Sequence, residues 1–149
     1  MTDPTDPAIS AIETEIAMLL RRAEPARRTR ERPTDALDRA AYLILRRLDE
    51  HGPQSVKAVA DALGLDGSIV ARQVTAMERN GLVRRTRATP GRPTMVEPTA
   101  AGLRRMTGVR AAREDLYTQV LATWSDGDRR TLASLLTRLN HALAAHIDR

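Results

Sequence analysis

Cysteine and phenylalanine are both absent from this chain of 149 residues, and lysine nearly so. Without a thiol there is no disulfide framework and no thiol-based redox chemistry. Aromatic residues are 2% of the chain, so the core has to be built from Leu, Ile, Val, Ala and Met. Such a core offers limited volume per residue, and a partner chain is expected to extend it. No apolar run approaches the roughly 20 residues that span a bilayer. The N-terminal MTDPTDPAIS has neither the basic n-region nor the apolar h-region of a signal peptide. A soluble, cytoplasmic protein with no membrane partner is the expectation. Catalytic chemistry is equally thin. There is no glycine-rich phosphate loop, nucleophile elbow or partnered carboxylate pair. His141 and His146 stand five apart, not at the four-residue spacing that aligns two zinc ligands on one helix face. No enzyme activity, metal or cofactor is expected.

What is present is positive charge. The formal net charge is +5 and the sequence pI about 10.8, which favours an anionic partner. Every basic residue except Lys57 is arginine. Alanine is also abundant, so part of this bias reflects base composition, and position must decide which arginines matter.

Along the chain, Asp6-Pro7 reads as an N-cap followed by a first-turn proline. Ile9, Ile12, Ile16, Leu19 and Leu20 then recur at helical spacing. The segment Pro25–Pro33, with Arg27, Arg28, Arg30 and Arg32 but no apolar stripe, reads as a linker or a frayed helix end. Thr34 is a candidate cap for a second helix carrying Leu37, Ala41, Ile44, Leu45 and Leu48, stopped at His51-Gly52-Pro53. Ser55 caps a short third helix with Val56, Val59, Ala60 and Leu63 inward, and Gly64-Leu65 makes the turn. Thr99 caps a long helix to about Thr123, and Ser125-x-x-Asp128 opens a last helix striped with Leu132, Leu135, Leu136, Leu139, Leu143 and Ile147.

The fourth helix, about Asp66 to Arg79, separates into two faces. Val70, Val74 and Met77 form an apolar stripe, and the opposite face carries Ser68, Ile69, Arg72, Gln73 and Ala76. These are small or hydrogen-bonding groups of the kind that read base edges, arginine suiting guanine and glutamine adenine. The face holds no acid before Glu78. Beyond it, Arg84, Arg85 and Arg87 lead into Thr89-Pro90-Gly91-Arg92. Pro-Gly at the central positions is a type II turn, so the segment is a basic hairpin with Arg92 at its tip and Pro93 suited to an edge strand. A basic hairpin beside a recognition helix is a wing. Ser55, Ser68, Ile69, Arg72, Gln73, Ala76, Arg84 and Arg92 are the DNA-binding candidates.

The order of elements, and the stretch GPQSVKAVADALGLDGSIVARQVTAMERNGLVRR followed by PTAAGL, resembles the MarR family of winged-helix transcriptional regulators. The resemblance covers nearly the whole chain. It implies a homodimer in which the first helix and the last two form the dimerisation body and recognition helices enter successive major grooves. The long stripes on those helices agree, since one small winged domain cannot cover them, although an intramolecular three-helix body is the alternative. By the same resemblance Arg92 matches the arginine that enters the minor groove. The loop RATPGRP departs from the family by lacking the acid that braces that arginine, and is about one residue shorter. The resemblance also implies a small amphipathic or phenolic effector, and places Tyr42 and Tyr117 near its site. Core or interface packing is the plainer role for both tyrosines, and Trp124 reads as a packing anchor.

The chain is thus expected to be mainly α with a small β-hairpin wing: a winged helix-turn-helix plus a helical dimerisation body. Residues 1–33 supply the N-terminal dimerisation helix and basic linker, 34–98 the DNA-binding domain, and 99–149 the C-terminal dimerisation helices. The function this implies is sequence-specific binding of double-stranded DNA as a homodimeric, ligand-responsive repressor on a pseudo-palindromic operator. A winged-helix protein-interaction module and a non-specific DNA-binding protein are the alternatives.

Overall fold

The computed structural model describes residues 6–28, 37–87 and 89–147. Helix starts follow the supply of side-chain oxygens for the first free N–H groups. Asp6 accepts from the N–H of Ala8 at 2.9 Å and opens α1 (Pro7–Arg28). Ser55 accepts from Ala58 at 3.1 Å ahead of α3 (Val56–Leu63). Thr99 accepts from Gly102 at 3.0 Å ahead of α5 (Ala100–Val120), and Ser125 from Asp128 at 3.1 Å ahead of α6 (Asp126–Ile147). No described helix is long and apolar enough to cross a membrane.

Three boundaries differ from the sequence reading. α1 continues through Pro25 to Arg28, although Pro25 has no N–H to give the carbonyl one turn back. The far end is held by side chains instead: Arg39 pairs with Glu24 at 3.2 Å, Arg28 with Glu24 at 3.4 Å, and Arg27 Nε donates to the Tyr117 hydroxyl at 3.2 Å. The second helix, α2 (Arg39–His51), is capped by Asp38, whose carboxylate accepts from Ala41 at 2.7 Å. Thr34, with Arg30 and Arg32, lies outside the described residues. α5 ends at Val120, three residues early, because Leu121–Trp124 turn back on themselves. Arg129 of α6 closes that end by donating to the Leu121 carbonyl at 2.9 Å.

The core lies within the winged lobe. Ile44, Leu45 and Leu48 of α2 meet Val59 of α3, Val70, Val74 and Met77 of α4 (Gly67–Arg79), and Val83 and Val96 of the sheet, all at or near zero exposure. Burying each such side chain is worth roughly 1.5–3 kcal/mol. Gly64 takes the left-handed conformation at φ 63° that turns α3 into α4. β1 (Val83–Arg85) and β2 (Val96–Pro98) are antiparallel, with Val83 opposite Pro98 and Arg85 opposite Val96. Gln54 adds a one-residue third strand, exchanging backbone hydrogen bonds with Val96 at 2.7 and 3.1 Å.

α1 and α6 contain no buried residue. α1 packs along α5, whereas α6 has no extensive contact with another element. The intramolecular three-helix body is therefore not formed. Trp124, read as a packing anchor, is 42% exposed.

The lobe joins the body at Gly102. A Cβ built there would overlap the Leu82 carbonyl and stand 3.1 Å from Leu45 Cδ2. Thr99 locks the same turn, its N–H donating to Leu82 O at 3.0 Å and its hydroxyl to Gly81 O. Glycine to alanine inside a helix normally stabilises it by about 1 kcal/mol. At Gly102 the sign should reverse: Gly102→Ala is predicted to cost about 1–3 kcal/mol through overpacking, read as a lower midpoint in thermal unfolding.

Candidate nucleic-acid interface

The candidate face of α4 begins at its cap. Asp66 accepts from the Ser68 N–H at 2.8 Å and from the Ser68 hydroxyl at 2.6 Å. These bonds, the hydroxyl's first, hold the Asp66 carboxyl below its ordinary value of 3.8. Ser68 is therefore turned towards its own cap. Gln73, half-buried, is also engaged: its amide nitrogen donates to both oxygens of Asp38, at 2.9 and 3.2 Å. Ile69, Arg72 and Ala76 are exposed. Arg72 makes no side-chain hydrogen bond or ion pair among the described residues. Ser55 sits at the start of α3 with its oxygen committed to the cap.

The hairpin beyond α4 has the predicted form. Thr89 and Arg92 exchange two backbone bonds, at 2.9 and 3.0 Å, across Pro90-Gly91. Gly91 carries the positive φ of 82° that the third position of a type II turn requires. The wing does contain an acid, further from the tip than expected. Glu97 on β2 stands opposite Arg84 on β1 and forms an ion pair with it, so Arg84 is braced against the sheet. Arg85 points back to the recognition helix, its guanidinium donating to Thr75 Oγ1 at 3.1 Å and its N–H to Glu78 at 3.2 Å. That leaves Arg87 and Arg92 exposed, with no side-chain partner among the described residues.

The contributors that sequence reasoning missed are acids and a threonine: Asp38, Asp66, Glu97 and Thr75. Asp66 carried a local signal, standing one residue before the first helical turn. Asp38 and Gln73 are 35 positions apart, and no local pattern links them.

A second concavity, of about 490 Å³, lies where the end of α1, the start of α2 and α5 meet. Arg27, Arg28, Arg39 and Arg113 line it with Glu24, Asp38 and Leu37. Neither expected tyrosine is part of its wall. Each holds an arginine that is: Arg113 stacks on the Tyr42 ring at 4.3 Å from the centroid, and Arg27 donates to Tyr117. Four guanidiniums against two carboxylates make the wall net positive. Asp38 belongs both to this wall and to the Gln73 bond.

A family model described as "MarR family" matches residues 37–89. An uncharacterized HTH-type transcriptional regulator of Bacillus subtilis (strain 168), YxaD, is 34% identical over 135 residues, covering 90% of this chain and 94% of the relative. Solved structures share the fold. The PcaV transcriptional regulator of Streptomyces coelicolor, in complex with its natural ligand, superposes with a TM-score of 0.67 at 22% identity, covering 96% of this chain and 98% of that one. An organohalide-sensing transcriptional regulator in its 2,4-dichlorophenol-bound form does so with a TM-score of 0.76 at 18% identity, covering 97% and 87%.

The Asp66 cap carries a pH signature. A carboxyl depressed in the fold contributes its stabilisation above the ordinary value of 3.8 and loses it as pH falls through the lower folded value. Followed by carboxyl NMR, Asp66 should titrate below 3.8 in the parent and return towards 3.8 in Ser68→Ala. An unmoved midpoint would remove the Ser68 hydroxyl as the cause.

Proposed function

This chain belongs to the MarR family of transcriptional regulators, and from that premise we propose that it acts in the cytoplasm as a homodimeric, effector-released repressor of a pseudo-palindromic operator. Residues 34–98 would form the DNA-binding unit, and 1–33 with 99–149 the dimerisation body. The observation that carries the DNA reading is a set of exposed arginines without a side-chain hydrogen bond or ion pair among the described residues, Arg72 on the recognition helix with Arg87 and the tip residue Arg92 on the wing, in a lobe that ties Arg84 and Arg85 to itself. Arg72 is proposed to contact a base, and Arg92 the minor groove beside it.

Support for a dimer comes from the bare helices. α1 exposes Ile9, Ile12, Leu19 and Leu20, and α6 exposes Leu135, Leu136, Leu143 and Ile147. An open apolar groove of about 730 Å³ runs between Ile12 and the leucines of α6. A second copy covering these stripes would place the two recognition helices about one turn of DNA apart.

Support for an effector comes from the arginine-lined concavity. Its charge suits a small amphipathic molecule carrying a carboxylate or phenolate, and a 2,4-dichlorophenol complex is known for a protein of the same fold. Because Asp38 is shared between that wall and Gln73, an occupant pressing on Asp38 would be felt by the recognition helix. The two dimer shapes would then differ in their affinity for DNA, and the effector would select the weaker binder.

Competition against random DNA at fixed salt tests the reading. A specific regulator holds a preference of roughly a thousandfold or more, a non-specific binder little, and an interaction module binds neither. Arg72→Ala should cost about tenfold or more on the preferred sequence. Arg92→Ala should weaken binding and lower the slope of log affinity against log salt by about one per protomer. Either variant binding as tightly as the parent would sink its assignment. In sedimentation the parent should run at twice the chain mass of 16.4 kDa, and Leu136→Asp should shift it towards the single chain.

A further inference from the structure

Ile69 has no structural reason to be where it is. It lies in the first turn of α4, 48% exposed, while the helix's other large apolar residues, Val70, Val74 and Met77, are buried in the lobe core. A β-branched residue is a weaker helix former than alanine or arginine, so propensity does not explain it. It belongs to neither of the apolar stripes on α1 and α6.

Its neighbours narrow the chemistry of what it meets. Ser68 spends its hydroxyl on Asp66, and Gln73 spends its amide protons on Asp38. Besides the single methyl of Ala76, the groups still presented outward are the guanidinium of Arg72 and the branched hydrocarbon of Ile69, three positions apart on one face. The major groove has a strong match for each. Guanine offers two acceptors to a guanidinium, and thymine alone offers an apolar group, its 5-methyl. Resting on the DNA reading above, we propose that Ile69 reads sequence by seating its side chain on the 5-methyl group of a thymine in each half-site. Arg72 reads the guanine one or two base pairs away. The spacing follows from the helix, since three residues rise about 4.5 Å and stacked base pairs repeat at about 3.4 Å. N-terminal residues of a recognition helix are also the ones that reach base edges.

The proposal makes thymine's methyl group, not its hydrogen-bonding edge, the recognised feature, and deoxyuridine separates the two because it keeps pairing and loses only the methyl. The operator is first selected from a random pool with the parent protein. Each thymine of the half-site is then replaced in turn by deoxyuridine, and the affinities of the parent, Ile69→Val and Ile69→Ala are measured. At one thymine, within two base pairs of the guanine whose replacement Arg72→Ala no longer senses, the parent should lose about fourfold per half-site. That is the weight of one buried methyl group, or about fifteenfold when both half-sites carry the change. Ile69→Val should keep most of this sensitivity, and Ile69→Ala should bind thymine and deoxyuridine operators alike. Ile69 buries no core surface, so circular dichroism should show an unchanged fold. A parent indifferent to every deoxyuridine, or an Ile69→Ala as sensitive as the parent, overturns the proposal while leaving the protein a specific DNA binder. A pool from which no sequence is enriched overturns the DNA reading, and this inference with it.

Discussion

The tightest joint between the two halves of this molecule is made by backbone. Gly102 lets the first turn of α5 close on the backbone of Leu82, and Thr99 fastens the same turn with its N–H and hydroxyl. Leu82 lies between the end of the recognition helix and the first strand of the wing. This joint, with Met106 and Leu103 of α5 packed on the lobe core, sets α4, the wing and the long helix relative to one another. Backbone contacts of this kind have no rotamers to relax into.

Around that joint, the polar groups of the lobe are largely spent on each other. Asp38 caps the start of α2 and also holds Gln73 of α4. Thr75 and Glu78 of α4 hold Arg85 of the wing, and Glu97 holds Arg84. Exposed ion pairs of this sort add little to stability. Their consequence is geometric, because they choose which cations face outward. The apolar groups are distributed the opposite way. The lobe buries most of its own, with Ile69 among the exceptions, while α1 and α6 leave theirs bare. With so few aromatic rings, this chain has little side-chain volume with which to build a second core alone.

What could be read from the sequence was local. Asp6, Ser55, Thr99 and Ser125 each precede a helix by a spacing that allows one hydrogen bond, and each makes it. The Pro90-Gly91 turn is equally local, since it depends on two residues and their allowed φ. The start of α2 is not fixed locally, because Thr34 and Asp38 are both capping residue types and Asp38 is the one that holds the Ala41 N–H. Pro25 misled for a similar reason, because the bonds that carry α1 past it come from Arg39 and Tyr117, far along the chain. In the candidate interface, spacing separates the outward face of α4 from its buried stripe but does not divide that face into engaged and free members. That division rests on Asp38, 35 positions from Gln73, and on a cross-strand register that brings Glu97 to Arg84. Gly102 did leave a trace, as a glycine among good helix formers, a placement that makes sense only where a neighbour leaves no room for a Cβ.

The near absence of lysine has a consequence for how this surface can be governed. A guanidinium keeps its proton at every pH a cell reaches, and it is not a substrate for the acetylation that neutralises lysine. The single lysine of these 149 residues, Lys57, stands at the start of α3 and is paired with Asp61 one turn along at 3.3 Å. The arginine charge of the wing and recognition helix is therefore beyond the reach of lysine acetylation and of proton concentration alike. Acetyl chemistry has one side-chain address here, and it lies off both elements.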